Sequence, residues 1–152
     1  GILTIGTSSL TIVGNSAPFP TWRNYENMCK RLASLHPDIH WIGSLSHEET
    51  LQTMAEHSCL VLPSQWPENS PISIREATAL GLHVICSDQG GSSELAGSVH
   101  KLINNDPFEL LRMYRKIQKL PNAIAQRWPT PSEYCKDLTA HYQWRRKQKQ
   151  NK

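Results

Sequence analysis

The 152-residue chain carries 16 Lys and Arg against 13 Asp and Glu, which gives a net charge of +3, and 38% of its residues are hydrophobic. This balance is typical of one globular domain with a proper core and excludes a disordered chain. No apolar run approaches the roughly 20 residues that a membrane-spanning helix needs, and no basic-then-apolar secretory signal opens the chain.

The cysteines exclude two further classes of protein. Four cysteines are widely spaced, and neither they nor the seven histidines show the spacing of zinc ligands. Cys59 and Cys86 fall in apolar, strand-like runs, where a free thiol behaves as a small hydrophobic group. We therefore expect a reducing cytoplasm, no disulfide scaffold and no metal site.

Short apolar runs rich in β-branched residues alternate along the chain with helical stretches. Strands are predicted at 10–14, 39–43, 59–63, 83–87 and 99–103. Helices are predicted at 22–35, 47–57 after a Ser46 cap, 71–80, 107–119 and 131–147, with a short helix from Ser92. This alternation predicts a parallel sheet covered on both faces. The expected fold class is α/β, a Rossmann-like doubly wound domain over 1–130, followed by a C-terminal helix and basic tail over 131–152.

Residues 2–5 (ILTI) also resemble a strand, but only residues 6–9 separate them from the strand at 10–14. Parallel neighbours need a crossover of a dozen residues or more, so these two runs cannot be parallel strands joined directly. Either they form a hairpin, or residues 1–5 are the end of a missing upstream unit. We favour the missing unit, since the chain begins with Gly1 rather than Met, as an excised fragment would.

Ligands of open α/β sheets bind outside the carboxyl ends of the strands. The loops expected at that edge are Gly14–Asn15, Gly43–Leu45, Pro63–Ser70 and Asp88–Ser92. They are rich in Gly, Ser, Asn and Pro, which allows the backbone to approach a ligand closely. The same edge should hold Glu68 and Glu76.

The segment between these two glutamates predicts a helix start. Ser70 is a suitable N-cap and Pro71 a suitable first helical residue. A helix N-terminus is an anion site, because its first N–H groups are unpaired and its dipole is positive. One helical face then carries Ile72, Glu76, Ala79 and Leu80.

A carboxylate on an apolar face needs partners. Two interpretations of Glu76 stay open: the helix start or a basic side chain stabilises it, or it accepts hydrogen bonds from a ribose diol. Glu68, in the loop after Trp66 and Pro67, is by itself either a surface acid or a second hydroxyl-binding group. Phosphate flanked by hydroxyls describes a nucleotide-sugar.

The run PSQWPENSPISIREATALGLHVICSDQGGSSEL at 63–95 resembles the donor-binding, C-terminal half of GT-B retaining glycosyltransferases. Glu68 and Glu76 match the E-x7-E motif of that family. LTIVGN at 10–15 and WIGSLSHEETLQTMAEHSCLVLPS at 41–64 resemble the stretches that precede the motif, so the resemblance covers about residues 10–104.

The resemblance implies roles for these residues. Glu76 would hold the donor ribose, and Glu68 would contact the transferred hexosyl group as the catalytic residue. Backbone N–H groups from Asn69 through Ser70 to Ile72 would meet the sugar and the diphosphate, and Gly43, Ser44 and Leu45 would line the base pocket, with Gly14 beside them. The acceptor would be a glycan or a lipid-linked sugar. No metal and no other cofactor is implied, because the leaving diphosphate itself assists the front-face reaction.

The sequence departs from the family in three places. The family has a G-R-x(4)-K-G segment whose Arg and Lys clamp the diphosphate, whereas this sequence has no Lys or Arg before Arg23. It also lacks the acceptor-binding N-terminal domain, and His83 stands where proline is usual. We therefore expect weak donor binding and no transfer by this chain alone.

Two alternatives compete with a donor-binding domain, and two further classes are disfavoured. A non-catalytic module derived from the GT-B fold would bind a partner or a polysaccharide, and a nucleotide-sugar epimerase would share the architecture. A dinucleotide-dependent oxidoreductase or a serine hydrolase is disfavoured because neither G-x-G-x-x-G nor G-x-S-x-G is present.

The last eight residues carry a basic cluster of Arg145, Arg146, Lys147, Lys149 and Lys152. It is interpreted as a solvated tail, with peripheral contact to anionic lipid as the alternative. A nucleic-acid partner is not expected, since no wider basic surface with interleaved aromatic residues is visible.

Overall fold

The computed structural model describes residues 2–5, 9–15, 19–95, 99–102 and 106–150. Its strands are β1 (Ile2–Ile5), β2 (Leu10–Val13), β3 (Ile39–Gly43), β4 (Cys59–Leu62), β5 (His83–Ser87) and β6 (Val99–Leu102). Its helices are α1 (Pro20–Ser34), α2 (His47–Ala55), α3 (Ile72–Ala79), α4 (Pro107–Ile117) and α5 (Pro131–Gln150), with a short 3-10 helix at Gly91–Glu94.

The structure bears out the predicted helix start at Ser46. The Glu49 N–H donates to the Ser46 hydroxyl at 3.3 Å, and the Ser46 N–H donates back to the Glu49 carboxylate at 2.8 Å. This capping box pairs two N–H groups that the first turn of a helix leaves open. The hydrogen bonds from the Ser46 side chain and backbone lower the pKa of Glu49. The cap places His47 in the first turn of α2.

The six strands form one sheet in the order β3-β2-β1-β4-β5-β6. This is the Rossmann strand order 3-2-1-4-5-6. The pairs β2–β3, β4–β5 and β5–β6 are parallel, as predicted. The α/β class and the parallel pairing on each side of β1 are thus confirmed.

The central strand corrects the prediction for residues 2–5. β1 pairs antiparallel with β2, as a hairpin, and also antiparallel with β4. The structure therefore shows the hairpin, the interpretation that we did not favour, and β1 is an integral strand of the sheet. The physical reason is the connection of four residues, 6–9, which can reverse the chain but cannot span a crossover.

Two apolar clusters cover the two faces of the sheet. On one face, Leu60 and Val84 pack with Met54 of α2 and with Ile74 and Ala77 of α3. On the other face, Cys59, Val61 and Ile85 pack with Ile117 of α4. β5 is buried along its whole length, as expected of a parallel strand with helices on both sides.

No helix in the described ranges has both the length and the apolar composition required to cross a membrane. The side chains of the basic cluster at the C-terminus lie outside the described residues, although the backbone of α5 extends to Gln150.

Thiol chemistry tests this arrangement of the core. Cys59 and Cys86 are fully buried, and burial raises the pKa of Cys59 to about 12 and that of Cys86 to about 11. Cys135 is exposed and Cys29 half-buried. Since the thiolate is the reactive form, we expect maleimide to label Cys29 and Cys135 in the native protein at pH 7.5 and all four thiols in urea, as counted by mass spectrometry. Rapid native labelling of Cys59 or Cys86 would contradict this core.

Candidate functional site

The loops after β2 and β3 meet at the carboxyl edge of the sheet. The Gly14 N–H donates to the Gly43 carbonyl at 2.6 Å, and the Asn15 amide donates to the Ser44 hydroxyl at 3.0 Å. Gly14 and Gly43 have φ of +120° and +90°, values that residues other than glycine rarely adopt. The structure therefore brings Gly14, Gly43 and Ser44 together, with Leu45 half-buried beside them.

The loops after β4 and β5 also meet at this edge. The Ser87 hydroxyl donates to the Ser64 carbonyl at 2.5 Å, and the Ser64 hydroxyl donates to the Glu68 carboxylate at 3.2 Å. Glu68 forms a parallel β-bridge with Gly90, and the Gly91 N–H donates to the Glu68 carbonyl at 2.5 Å. Both the backbone and the side chain of Glu68 are thus held in place.

The double glycine is required for this approach. Gly90 has φ of +58°, and a Cβ added there would overlap the Glu68 backbone. A Cβ added to Gly91 would overlap the Asn69 carbonyl oxygen. The β4 loop therefore rests directly on the Gly90–Gly91 backbone, with no room for a side chain between them.

The start of α3 differs from the prediction by one residue. Pro71, not Ser70, is the N-cap, with φ of −63° and ψ of +119°, and the helix begins at Ile72. The extended ψ of Pro71 lets its carbonyl accept the Ile74 N–H at 3.2 Å. Because proline has no side-chain acceptor, no side chain caps this end. The first N–H groups of α3 are consequently not engaged by an N-cap side chain.

The buried face of α3 also corrects the prediction. α3 buries Ile74, Ala77 and Thr78, whereas Ile72 is 69% exposed and Leu80 is 40% exposed. The reason is that the apolar side chains of Ile74 and Ala77 pack with Leu60 and Val84 of the sheet. Glu76 therefore does not point into the core, and its side chain lies at the rim, 19% exposed.

The partner of Glu76 is His47, which sequence reasoning did not single out. His47 Nε2 lies 2.6 Å from Glu76 Oε1. His47 belongs to α2, which follows the loop Gly43–Leu45, so this contact joins the β3 side of the edge to α3. The signal that could have found His47 was the Ser46 cap, which fixes the first turn of α2 at the same edge of the sheet.

The segment 121–130 anchors α3 from the side away from the edge. The Trp128 indole N–H donates to the Arg75 carbonyl and to the Thr78 hydroxyl, both at 3.1 Å. The Arg75 guanidinium lies 4.6 Å from the centre of the Trp128 ring, as in a cation–π pair. The Gln126 N–H donates to the Thr78 carbonyl at 2.9 Å. These contacts fix the helix that carries Glu76.

A cavity elsewhere in the molecule is not part of this site. It is lined by His57 and Ser58, by Leu80 and Gly81, and by Ala123. These residues precede β4 and β5, so the cavity opens at the amino edge of the sheet.

The carboxyl edge combines two kinds of recognition. Glu68 and Glu76 are carboxylates, which accept hydrogen bonds from hydroxyl groups. The start of α3 between them offers N–H donors and a positive dipole end to an anion. In the part of the chain that the structure describes, no group of three or more His, Cys, Asp or Glu side chains could hold a metal ion.

Comparisons with known proteins agree with this geometry. The sequence profile of the family described as "Glycosyl transferases group 1" matches residues 7–119. Among solved structures, the chain is similar to Alr3699/HepE of Anabaena, determined in complex with UDP-glucose, with a TM-score of 0.61 and 18% identity. The match covers 72% of this chain and 30% of that one. At this identity it shows the fold alone, which is that of part of a GT-B glycosyltransferase. No curated protein sequence matches the chain.

The contact between the β4 loop and the double glycine predicts the effect of Gly91→Ala. The new methyl group must displace the Asn69 carbonyl, so we expect a loss of about 1–3 kcal/mol in the free energy of unfolding, as for other overpacked sites. Urea denaturation followed by tryptophan fluorescence measures it. Gln89→Ala, at an exposed position of the same turn, is the matched control. Equal stability of the two variants would contradict the tight approach.

Proposed function

The chain belongs to the group 1 glycosyl transferases, and on that premise we propose that it is the donor-binding domain of a retaining glycosyltransferase. The enzyme would transfer a hexosyl group from a nucleotide-sugar to a glycan or lipid-linked acceptor. We assign donor binding to residues 1–130 and the closing helix with its tail to 131–152. Transfer would require an acceptor-binding domain opposite this edge.

The observation that carries the proposal is the placement of Glu76. It lies at the rim of α3, where His47 binds one carboxylate oxygen at 2.6 Å, and the loop Gly43–Leu45 immediately precedes the helix of His47. A ribose diol on Glu76 would therefore have the β3 loop beside it for the base. This is the order of groups in a nucleotide, with the base next to the ribose.

Glu68 and the start of α3 would act on the rest of the donor. The backbone from Asn69 to Ile72 leads into the helix start, whose dipole favours the diphosphate. Glu68, fixed by Ser64 and by the Gly90–Gly91 backbone, would accept hydrogen bonds from the sugar. Fixed dipoles aimed at the departing diphosphate stabilise charge that develops in the transition state, which is electrostatic catalysis.

A non-catalytic binding module remains a second candidate because of one observation. β1 runs antiparallel to its neighbours, so its carboxyl end lies at the edge opposite the candidate site. The loop after this central strand therefore cannot contribute groups to a ligand at the switch point of the sheet. A module that uses the fold only for binding would tolerate the loss of ligand contacts from this loop. A transferase would need other residues to supply them.

We also propose a cytoplasmic location, on the basis of the free cysteines of the described chain. The basic cluster after residue 144 would then give peripheral contact with anionic lipid. Nucleic acid is not among the proposed partners.

Donor binding tests the proposal directly. UDP-glucose is the first probe because the similar HepE structure contains it, followed by GDP- and ADP-sugars. We expect weak binding, with a Kd on the order of 1 mM. Glu76→Gln should weaken it by about tenfold or more, since a hydrogen bond to a charged group contributes about 1.5–3 kcal/mol. Saturation-transfer NMR and calorimetry measure the affinity.

Glu48→Gln is the matched control, because it removes the same charge from an exposed position in the first turn of α2. Equal affinities of the two variants would contradict the ribose role of Glu76. Silence with all three nucleotide-sugars would favour the non-catalytic module.

A further inference from the structure

Only one of the two oxygens of the Glu76 carboxylate is engaged by the described part of the chain. His47 Nε2 lies 2.6 Å from Oε1. No described residue forms a hydrogen bond or an ion pair with Oε2. Arg75, the neighbouring cation on α3, lies over the Trp128 ring instead. The two carboxylate oxygens therefore have different surroundings.

The chemistry of this contact fixes the position of its hydrogen. A carboxylate accepts hydrogen bonds and donates none, so the hydrogen lies on His47 Nε2. The neutral Nε2–H tautomer and the imidazolium both supply that hydrogen, so the bond forms with either form of the ring. Hydrogen bonds to a charged group are shorter and stronger than those between neutral groups, and 2.6 Å is short for a nitrogen donor. His47 therefore binds Oε1 firmly.

Both residues of the pair belong to helices that other contacts hold in place. His47 is the first residue of α2, directly after the Ser46 cap and its partner Glu49. α3, which carries Glu76, is anchored by Trp128. Side chains of both helices also pack in one apolar cluster on the same face of the sheet. Because the helices are already fixed, the contact mainly restrains the side chain of Glu76.

A restrained carboxylate is a better acceptor for a weakly bound ligand. A free glutamate side chain loses rotamer freedom when a ligand orders it, and that loss opposes binding. His47 orders the Glu76 side chain before a ligand arrives. Its N–H group also places positive partial charge beside a carboxylate that would otherwise repel a diphosphate. Both effects favour a nucleotide at this position.

The contact also makes the two oxygens of Glu76 unequal acceptors. A carboxylate with two open oxygens can accept one hydroxyl group of a ribose diol on each of them. With His47 bound to Oε1, Oε2 keeps all of its acceptor sites, whereas Oε1 has lost one. The ribose hydroxyl that meets Oε2 should therefore form the stronger hydrogen bond.

We propose that His47 is a positioning residue for the donor ribose, which holds Glu76 through Oε1 and leaves Oε2 to accept one of the two ribose hydroxyls. The inference rests on the proposed function, since it takes Glu76 as the ribose-binding residue. It adds a residue outside the E-x7-E motif and an unequal use of the 2′ and 3′ hydroxyls. A surface pair that only joined α2 to α3 would stabilise the fold without distinguishing the two hydroxyls.

The test is a cycle between His47 and the two ribose hydroxyls, measured by NMR titration of the full 152-residue chain. The ligands are UDP, 2′-deoxy-UDP and 3′-deoxy-UDP, or the matching GDP or ADP series if that nucleotide binds more tightly. We expect one deoxy ligand to bind about tenfold more weakly than its parent, because it loses a hydrogen bond to a charged group, and the other about threefold or less. In His47→Ala both oxygens are open, so the two deoxy ligands should bind with equal affinity.

Two further variants separate positioning from other effects. His47→Gln keeps a side-chain N–H donor that can reach Oε1, so it should restore the difference between the two deoxy ligands. His36→Ala removes an exposed histidine that precedes β3, at the amino edge of the sheet, and should leave all three affinities unchanged. Circular dichroism checks that each variant folds.

The outcomes distinguish a failure of this inference from a failure of the proposed function. Nucleotide binding that Glu76→Gln weakens would keep the proposed function. The positioning role would nevertheless be overturned if the unmodified protein bound both deoxy ligands equally, or if His47→Ala left the ratio of their affinities unchanged. No binding of UDP, GDP or ADP to the unmodified protein would overturn both.

Discussion

The four-residue connection between β1 and β2 is the constraint on which the rest of the sheet depends. It forces β1 to run antiparallel to β2. β1 also runs antiparallel to β4, while it keeps the central place in the Rossmann strand order. Ile2 pairs with Val13, so β1 begins at the carboxyl edge of β2 and ends at the opposite edge. The candidate site is therefore built from the loops of β2 and β3 on one side and of β4 and β5 on the other.

The two sides of the candidate site are held by backbone contacts and helix starts. Glu68 is fixed because its own backbone pairs with the double glycine. Glu76 is fixed because Trp128 anchors α3 and because His47 meets its carboxylate from α2. Such a preorganised pair of hydrogen-bond acceptors suits a rigid ligand whose hydroxyl groups are already fixed in position.

Most of the fold could be predicted, and the failures have physical causes. Strand positions followed from apolar runs such as 83–87, which the structure buries completely, and the Ser46 cap followed from local hydrogen bonding. The four-residue connection already allowed the β1–β2 hairpin, which we did not favour, whereas the pairing of β1 with β4 depends on tertiary context and could not be predicted. The face of α3 was misassigned because Ile72, Ala79 and Leu80 satisfy helical spacing as well as Ile74 and Ala77 do, and only the position of the sheet decides between them. His47 could not be paired with Glu76, since 29 residues separate them.

The charges around the edge limit what it can hold by itself. Two carboxylates flank the start of α3, and like charge opposes a diphosphate. The dipole of an exposed helix end stabilises a bound anion by about 0.3–1 kcal/mol. This small stabilisation leaves little excess over the repulsion from the two carboxylates. The cation of α3, Arg75, is engaged over Trp128, and Lys101 on β6 lies 3.3 Å from Asp88. In the proposed function, recognition at this edge would therefore rest on the hydroxyl groups of the donor more than on its phosphates. To hold a donor for reaction, this edge would need basic groups from elsewhere to bind the diphosphate. In the proposed function, those groups would lie on the side that faces the acceptor-binding domain.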